Sequence, residues 1–242
     1  MNFNNGGFLQ DDGAFTRELS RDFFKKVYAY MALALIFSGG VAYYIGSSID
    51  VFANLFINKT TGGVNALFYV VTFAPVGLVF LIQMAYRKLS MPLLTILFLV
   101  FASLMGASLS SIFFVYSMNS IAVAFFVSAG AFAGMAFLGY TTKTDLTKFG
   151  SLLYMVFIGI FIASIVNIFV KSDGLSWIVS FLGIFVFTGL TAYWMQQLKG
   201  VSKNNMLTGV ERDKLALIGA LNLYVLFINL FLSLLEIFGR RN

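Results

Sequence analysis

The sequence predicts an all-α membrane protein with seven transmembrane helices, and three observations carry that prediction. The charged residues between Lys26 and Glu236 fall in short clusters, leaving charge-free runs at 27–49, 60–86, 89–142, 149–170, 174–198 and 215–235. A hydrocarbon core about 30 Å thick needs ~20 helical residues at ~1.5 Å each, so five of the runs fit one span apiece. The run 89–142 holds 54 residues. As one helix it would be about 80 Å long, so it must turn back once. Its clearest polar interruption is Tyr116-Ser117-Met118-Asn119-Ser120. Composition agrees: 60% of residues are hydrophobic, 11% are charged, and mean hydropathy is +0.89. A soluble domain carries about a quarter charged residues and gives its surface helices polar faces.

Taken in order, residues 1–14 are rich in Asn, Gly and Asp and read as disordered. Residues 16–26 read as a short amphipathic lead-in to the first span, with Leu19, Phe23 and Phe24 in the membrane interface as an anchor. Asp11, Asp12, Glu18 and Asp22 break the pattern of a cleavable signal peptide, so the first helix is expected to be retained. The seven spans are expected near 27–47, 66–86, 92–115, 120–140, 151–170, 175–197 and 215–238, forming a single domain over 27–238 behind an N-terminal segment of 26 residues. Pro75 falls inside the second span, where it frees the carbonyl of Val71. A packing kink or a gating hinge would follow from that. Ser90 reads as the N-cap of the third span, with Pro92 in its first turn, where a missing N–H is harmless.

Small residues recur at helical spacing. They stand at Ala34, Ser38, Ala42 and Gly46 in the first span, at Ala102, Gly106 and Ser110 in the third, and at Gly130-x-x-x-Gly134 in the fourth. Such stripes let helix backbones approach closely, the main source of association in lipid. Tyr43, Tyr44, Tyr86 and Trp177 stand where interfacial aromatic belts occur.

Sidedness follows from Lys and Arg. Arg17, Arg21, Lys25, Lys26, Arg87, Lys88, Lys143, Lys148, Lys199, Lys203, Arg212 and Lys214 fall on one side, against Lys59, Lys171, Arg240 and Arg241 on the other. The positive-inside rule then places the N-terminus in the cytoplasm and the C-terminus outside. These residues read as topology signals and lipid contacts, and no aromatic interleaving suggests a nucleic-acid partner.

Catalysis finds few tools. The chain has no Cys and no His, which removes disulfides, thiolate chemistry and the commonest metal ligands. Asp and Glu are absent from the span centres, and no Lys or His stands beside Ser103, Ser108, Ser110 or Ser111 to serve as a base. The expectation is no enzyme, no cofactor and no metal site. What remains polar within the spans is neutral: Gln83, Asn167, Thr188, Thr191, Gln196, Asn222 and Asn229. Such groups join helices or line a route. Their concentration in the last three spans suggests one shared polar interior.

Several runs resemble the Bax-inhibitor family of multi-pass membrane proteins. They are Phe187-Thr188-Gly189-Leu190-Thr191-Ala192-Tyr193, Leu223-Tyr224-Val225-Leu226-Phe227-Ile228-Asn229-Leu230-Phe231, Leu109-Ser110-Ser111-Ile112-Phe113, Gly139-Tyr140-Thr141-Thr142-Lys143-Thr144-Asp145-Leu146 and Ala163-Ser164-Ile165-Val166-Asn167-Ile168-Phe169. The resemblance implies seven helices with the last one central and surrounded by the other six, a cell-membrane (bacterial inner-membrane) location, and calcium leak. It also implies, at two positions, a pair of carboxylates acting as pH sensor and cation gate. Here those positions hold Trp194 and Leu226, which cannot titrate. Two acids sharing a site titrate as a coupled pair, and calcium prefers six to eight hard oxygens. Two functions from different classes are therefore expected as alternatives. One is a calcium or cation leak channel or transporter with altered or absent pH gating. Its candidate pore or gate residues are Trp194, Leu226, Asn229, Tyr224, Asn167 and Gln196, with Pro75 as hinge. The other is a non-conducting regulator or scaffold that binds membrane proteins such as a quality-control protease, through residues 1–26 and 199–214.

Overall fold

The computed structural model describes residues 6–204, 206–207 and 209–240. The helices are α1 Gly6–Gly46, α2 Ile49–Phe56, α3 Ala66–Ala85, α4 Met91–Leu109, α5 Ile112–Val115, α6 Met118–Thr141, α7 Thr147–Val170, α8 Asp173–Ser202 and α9 Gly209–Phe238. Among the described residues, seven helical stretches are long and apolar enough to cross a membrane, with α4 and α5 together making the third. The protein is an all-α, multi-pass membrane protein, as the charge spacing predicts.

The third span breaks at Ser110-Ser111, where Ser110 turns its hydroxyl back to the carbonyl of Ala107 at 2.6 Å. Ser90 occupies the N-cap of α4 with Pro92 in the first turn, though the Ser90 side chain makes no capping bond. Pro75 is buried within α3, and the helix continues through it. The unforeseen α2 is capped by Ser48, whose hydroxyl accepts from Val51 N at 3.5 Å, and carries Asp50 in its first turn. A carboxylate there suits the positive end of the helix dipole.

Two readings of the N-terminal segment are corrected. The helix starts at Gly6, inside the stretch read as disordered, and runs unbroken into the first span. Once a long span has nucleated a helix, each added residue costs little. Residues 1–5 lie outside the described residues. Phe23 and Phe24, expected in the membrane interface, are buried within the protein at 1% and 8% exposure. At Ser20 and Lys26, α1 is clamped to the junction between α8 and α9. Ser20 donates to the Ser202 carbonyl at 3.3 Å, and Lys26 pairs with Asp213.

The helix α9 is the most buried of the spans and packs against α1, α3, α4, α6 and α8. It is central, but five of the other spans surround it closely, not six. α7 packs on α8 and faces α9 across a polar crevice. The small-residue stripes of α1 and α4 meet each other. A Cβ built on Gly106 would run into the backbone of Ser38, and one on Gly46 would meet Phe113 and the Ser110 carbonyl. Gly130 and Gly134 behave differently, since both are exposed with nothing within 4 Å of an added Cβ. The buried face of α6 is instead Ala124, Ser128, Phe132, Ala136 and Gly139. Spacing alone does not say which way a stripe points.

The two ends of the bundle differ in charge. Lys214 reaches the Arg87 carbonyl at 3.1 Å and Lys199 bonds the Tyr140 carbonyl, so the ends of α3, α6 and α8 and the start of α9 share one basic face. The other face carries the turn at 116–120 and the end of α9, joined by Ser117 N to the Arg240 carbonyl at 3.2 Å.

Candidate functional site

A crevice of about 490 Å³ opens at the face opposite the basic one, between α7, α8, α9 and the turn preceding α6. Its polar lining comes from Ser164 and Asn167 on α7, Ser176 and Ser180 on α8, and Asn229, Ser233 and Glu236 on α9. Asn229, Ser233 and Glu236 are four and then three residues apart, the spacing that puts side chains on one helix face. Glu236 accepts a hydrogen bond from the Tyr116 hydroxyl, which ties the end of α9 to the turn before α6. The α8–α9 seam can close tightly beside Ser233 because residue 183 is glycine: a Cβ there would lie 2.6 Å from the Ser233 hydroxyl. From Glu236 to Asn229 the crevice descends about 10 Å, and Ile160 and Phe187 line it deeper still. That reaches roughly half-way through a core about 30 Å thick.

Asn167 and Asn229 both line this crevice. Asn167 donates to the Ser176 hydroxyl at 2.7 Å and accepts from Ser172 N at 2.9 Å. It thereby fastens the turn where Lys171 adopts a left-handed conformation, φ 53°. Asn229 donates to the carbonyl of Val225 at 2.8 Å on its own helix, which leaves its amide oxygen to the crevice.

The other sequence candidates stand elsewhere. Leu226 is buried in the core, one turn below Asn229. Tyr224 is fully buried beside Phe101 of α4, ring centroids 5.7 Å apart. Its hydroxyl is directed at Ser38 of α1 without completing a hydrogen bond. The indole N–H of Trp194 donates to the Tyr154 hydroxyl of α7 at 2.6 Å. Gln196 straps the loop between α6 and α7, accepting from Leu146 N at 2.8 Å and donating to the Thr144 carbonyl at 2.7 Å. In the same loop Asp145 accepts from the hydroxyl and backbone N–H of Thr147, which hold its carboxyl below the usual 3.8. Between Asn229 and the basic face, α9 therefore presents Leu226, Leu223 and Leu221 to the core, an apolar plug. Asn222 stands at the same level on α9, between Leu221 and Leu223, where its side-chain oxygen accepts from Gln83 of α3 at 3.3 Å.

Sequence reading missed Glu236 and Tyr116. The helical spacing from Asn229 to Glu236 was a usable signal; the partnership with Tyr116, 120 residues away, had none.

The family described as "Inhibitor of apoptosis-promoting Bax1" matches residues 20–242. The chain belongs to this Bax-inhibitor family. It is 42% identical over 218 residues to the inner membrane protein YbhL of Escherichia coli K12, covering 89% of this chain and 90% of YbhL. It is 40% identical over 223 residues to an uncharacterized protein of Borreliella burgdorferi, covering 92% and 94% of the two chains. A third relative, an uncharacterized protein of Caulobacter vibrioides, is 41% identical over 249 residues, 99% of this chain and 98% of that one. Within this Bax-inhibitor bundle, the two positions where the family resemblance led us to expect carboxylates hold an indole bonded to α7 and a leucine in the plug.

Proposed function

We propose that this member of the Bax-inhibitor family is a cation leak pathway of the inner membrane, entered through the crevice between α7, α8 and α9 and shut in this conformation by the apolar plug at Leu226. The observation that supports this reading is the crevice itself. It is a polar inlet that carries one carboxylate, Glu236, and stops at an uncharged, closely packed constriction. Intramembrane polar groups gathered on one face mark ion routes, and apolar constrictions gate them. A single carboxylate among amides and hydroxyls suits weak, passing contact with a cation more than tight calcium binding, which takes six to eight oxygens. Without a carboxylate pair, flux should depend little on pH between about 6 and about 8, where a coupled pair would switch. The basic face lies in the cytoplasm on the positive-inside rule, so the crevice opens outside.

The test is calcium and monovalent-cation flux into liposomes holding the purified protein, at roughly pH 6 and pH 8. Flux at both pH values, reduced in Glu236→Gln and Asn229→Leu protein of unchanged melting temperature, is the expected result. No flux above empty liposomes would overturn the reading. It would favour a regulator that keeps the bundle as a scaffold for membrane-protein partners.

A further inference from the structure

A second cavity lies away from the crevice. It is a lateral groove of about 990 Å³ between α1 and α6, at the top of the ~300–1,000 Å³ range of small-molecule sites. Its two walls touch where Phe24 of α1 meets Tyr140 of α6, ring centroids 5.3 Å apart, and otherwise each packs mainly on other helices. α1 packs on α4 and α9, α6 packs on α8 and α9, and Met195 of α8 and Phe227 of α9 form the floor between them. Its lining is graded along its length. Towards the basic face α1 contributes Arg17, Arg21 and Lys25, each four residues from the next and so on one helical face, and Lys203 joins them from the end of α8. All four are exposed. Deeper in, the same strip of α1 turns apolar with Tyr28, Met31 and Leu35, and α6 answers with Ala129, Ala133 and Ala136, whose small side chains leave the space open. From Tyr140 to Phe125 the α6 wall runs about 22 Å, longer than the ~15 Å of one leaflet's hydrocarbon.

We infer that this groove is a binding site for one anionic phospholipid, with its phosphate at Arg17, Arg21, Lys25 and Lys203 and an acyl chain along the small-residue face of α6. An apolar groove at this depth is filled by lipid in any membrane; the charge at its mouth selects which lipid. Arginine meets phosphate with a planar fork of donors, and four cations outweigh the nearby carboxylates. Asp22 pairs with Lys25 at 3.3 Å and offsets one of the four charges, and Glu18 does not line the groove, so the mouth keeps a net positive charge from Arg17, Arg21 and Lys203. The headgroup also lies where juxtamembrane basic residues draw anionic lipid.

Native mass spectrometry of the full-length protein tests the site. The protein is released from micelles containing equal amounts of phosphatidylglycerol and phosphatidylcholine with identical acyl chains. One phosphatidylglycerol should be retained with a preference of about tenfold. Arg17→Gln/Arg21→Gln/Lys203→Gln should bring the preference to about one. Ala133→Trp, filling the groove, should lower retention of both lipids. Arg87→Gln/Lys88→Gln, a basic pair on the same face outside the groove, should leave the preference intact. Equal retention of the two lipids by the parent protein would overturn the inference. So would a preference that survives the triple substitution, or one lost equally in the remote pair, which would indicate general attraction to the basic face.

Discussion

Replacing Gly106 with alanine tests how closely α1 and α4 are pressed together. A Cβ at Gly106 would lie 2.8 Å from the Cα of Ser38, whereas carbon atoms rest at about 3.5–4.0 Å. The obstacle is backbone, so no side-chain rotation relieves it, and the helices must part by about 1 Å. A gap of that size forfeits a quarter to a half of each dispersion contact along the seam, which includes Ala34, Ala42, Ala102 and Ser110. Overpacking of this kind costs about 1–3 kcal/mol. Gly134→Ala is the matched control, because nothing lies within 4 Å of its added Cβ. Alanine's better helix propensity should then leave stability unchanged or raise it by up to about 1 kcal/mol. Reversible unfolding by SDS titration in mixed micelles reads both. Equal midpoints for the two variants would refute the close approach of α1 and α4.

Two side chains of α8 towards the basic face, Trp194 and Gln196, give further expectations. Tyr154→Phe removes the acceptor of the Trp194 indole N–H and should destabilise by about 1–3 kcal/mol. With Trp177 replaced by Phe, the emission of Trp194 should also change. Gln196→Leu removes both bonds that strap residues 144–146 to α8, worth about 0.5–1.5 kcal/mol each. Hydrogen exchange should quicken across 142–147 while the middle of α8 stays protected.

Much of the fold was legible because lipid makes charge spacing a ruler: clusters such as Arg87-Lys88 and Lys143–Lys148 mark where helices must end. The stripes of α1 and α4 were legible as packing surfaces, since both found a partner. Gly130-x-x-x-Gly134 has the same spacing and faces outward, because a period carries no direction. Phe23 and Phe24 look like interface anchors from hydrophobicity alone; their burial depends on the ends of α6 and α8 folding back beside them, as the 5.3 Å contact of Phe24 with Tyr140 shows. The candidate site was half legible. Asn167 and Asn229 stood out as polar residues in apolar runs, and they do share a crevice. Gln196 stood out for the same reason and Trp194 because it stands where the family resemblance implies a carboxylate; both are bound into loop and helix contacts instead. A polar side chain in a span signals that it has a partner, and the sequence does not say whether that partner is backbone, a neighbouring helix or a passing ion.

The most direct test of a crevice closed at Leu226 uses the chain's natural lack of cysteine. Single substitutions Asn229→Cys, Ser233→Cys, Ser180→Cys, Leu226→Cys and Leu223→Cys can be labelled with a membrane-impermeant, thiolate-selective reagent in oriented vesicles. Thiolates form in contact with water and not in apolar surroundings. Residues 180, 229 and 233 should label from the side that carries the C-terminus, and 223 and 226 from neither side, by a factor of about 100 in rate. Labelling of Leu226→Cys at the rate of Asn229→Cys would contradict the account, because water would then pass the point where the bundle is described as sealed.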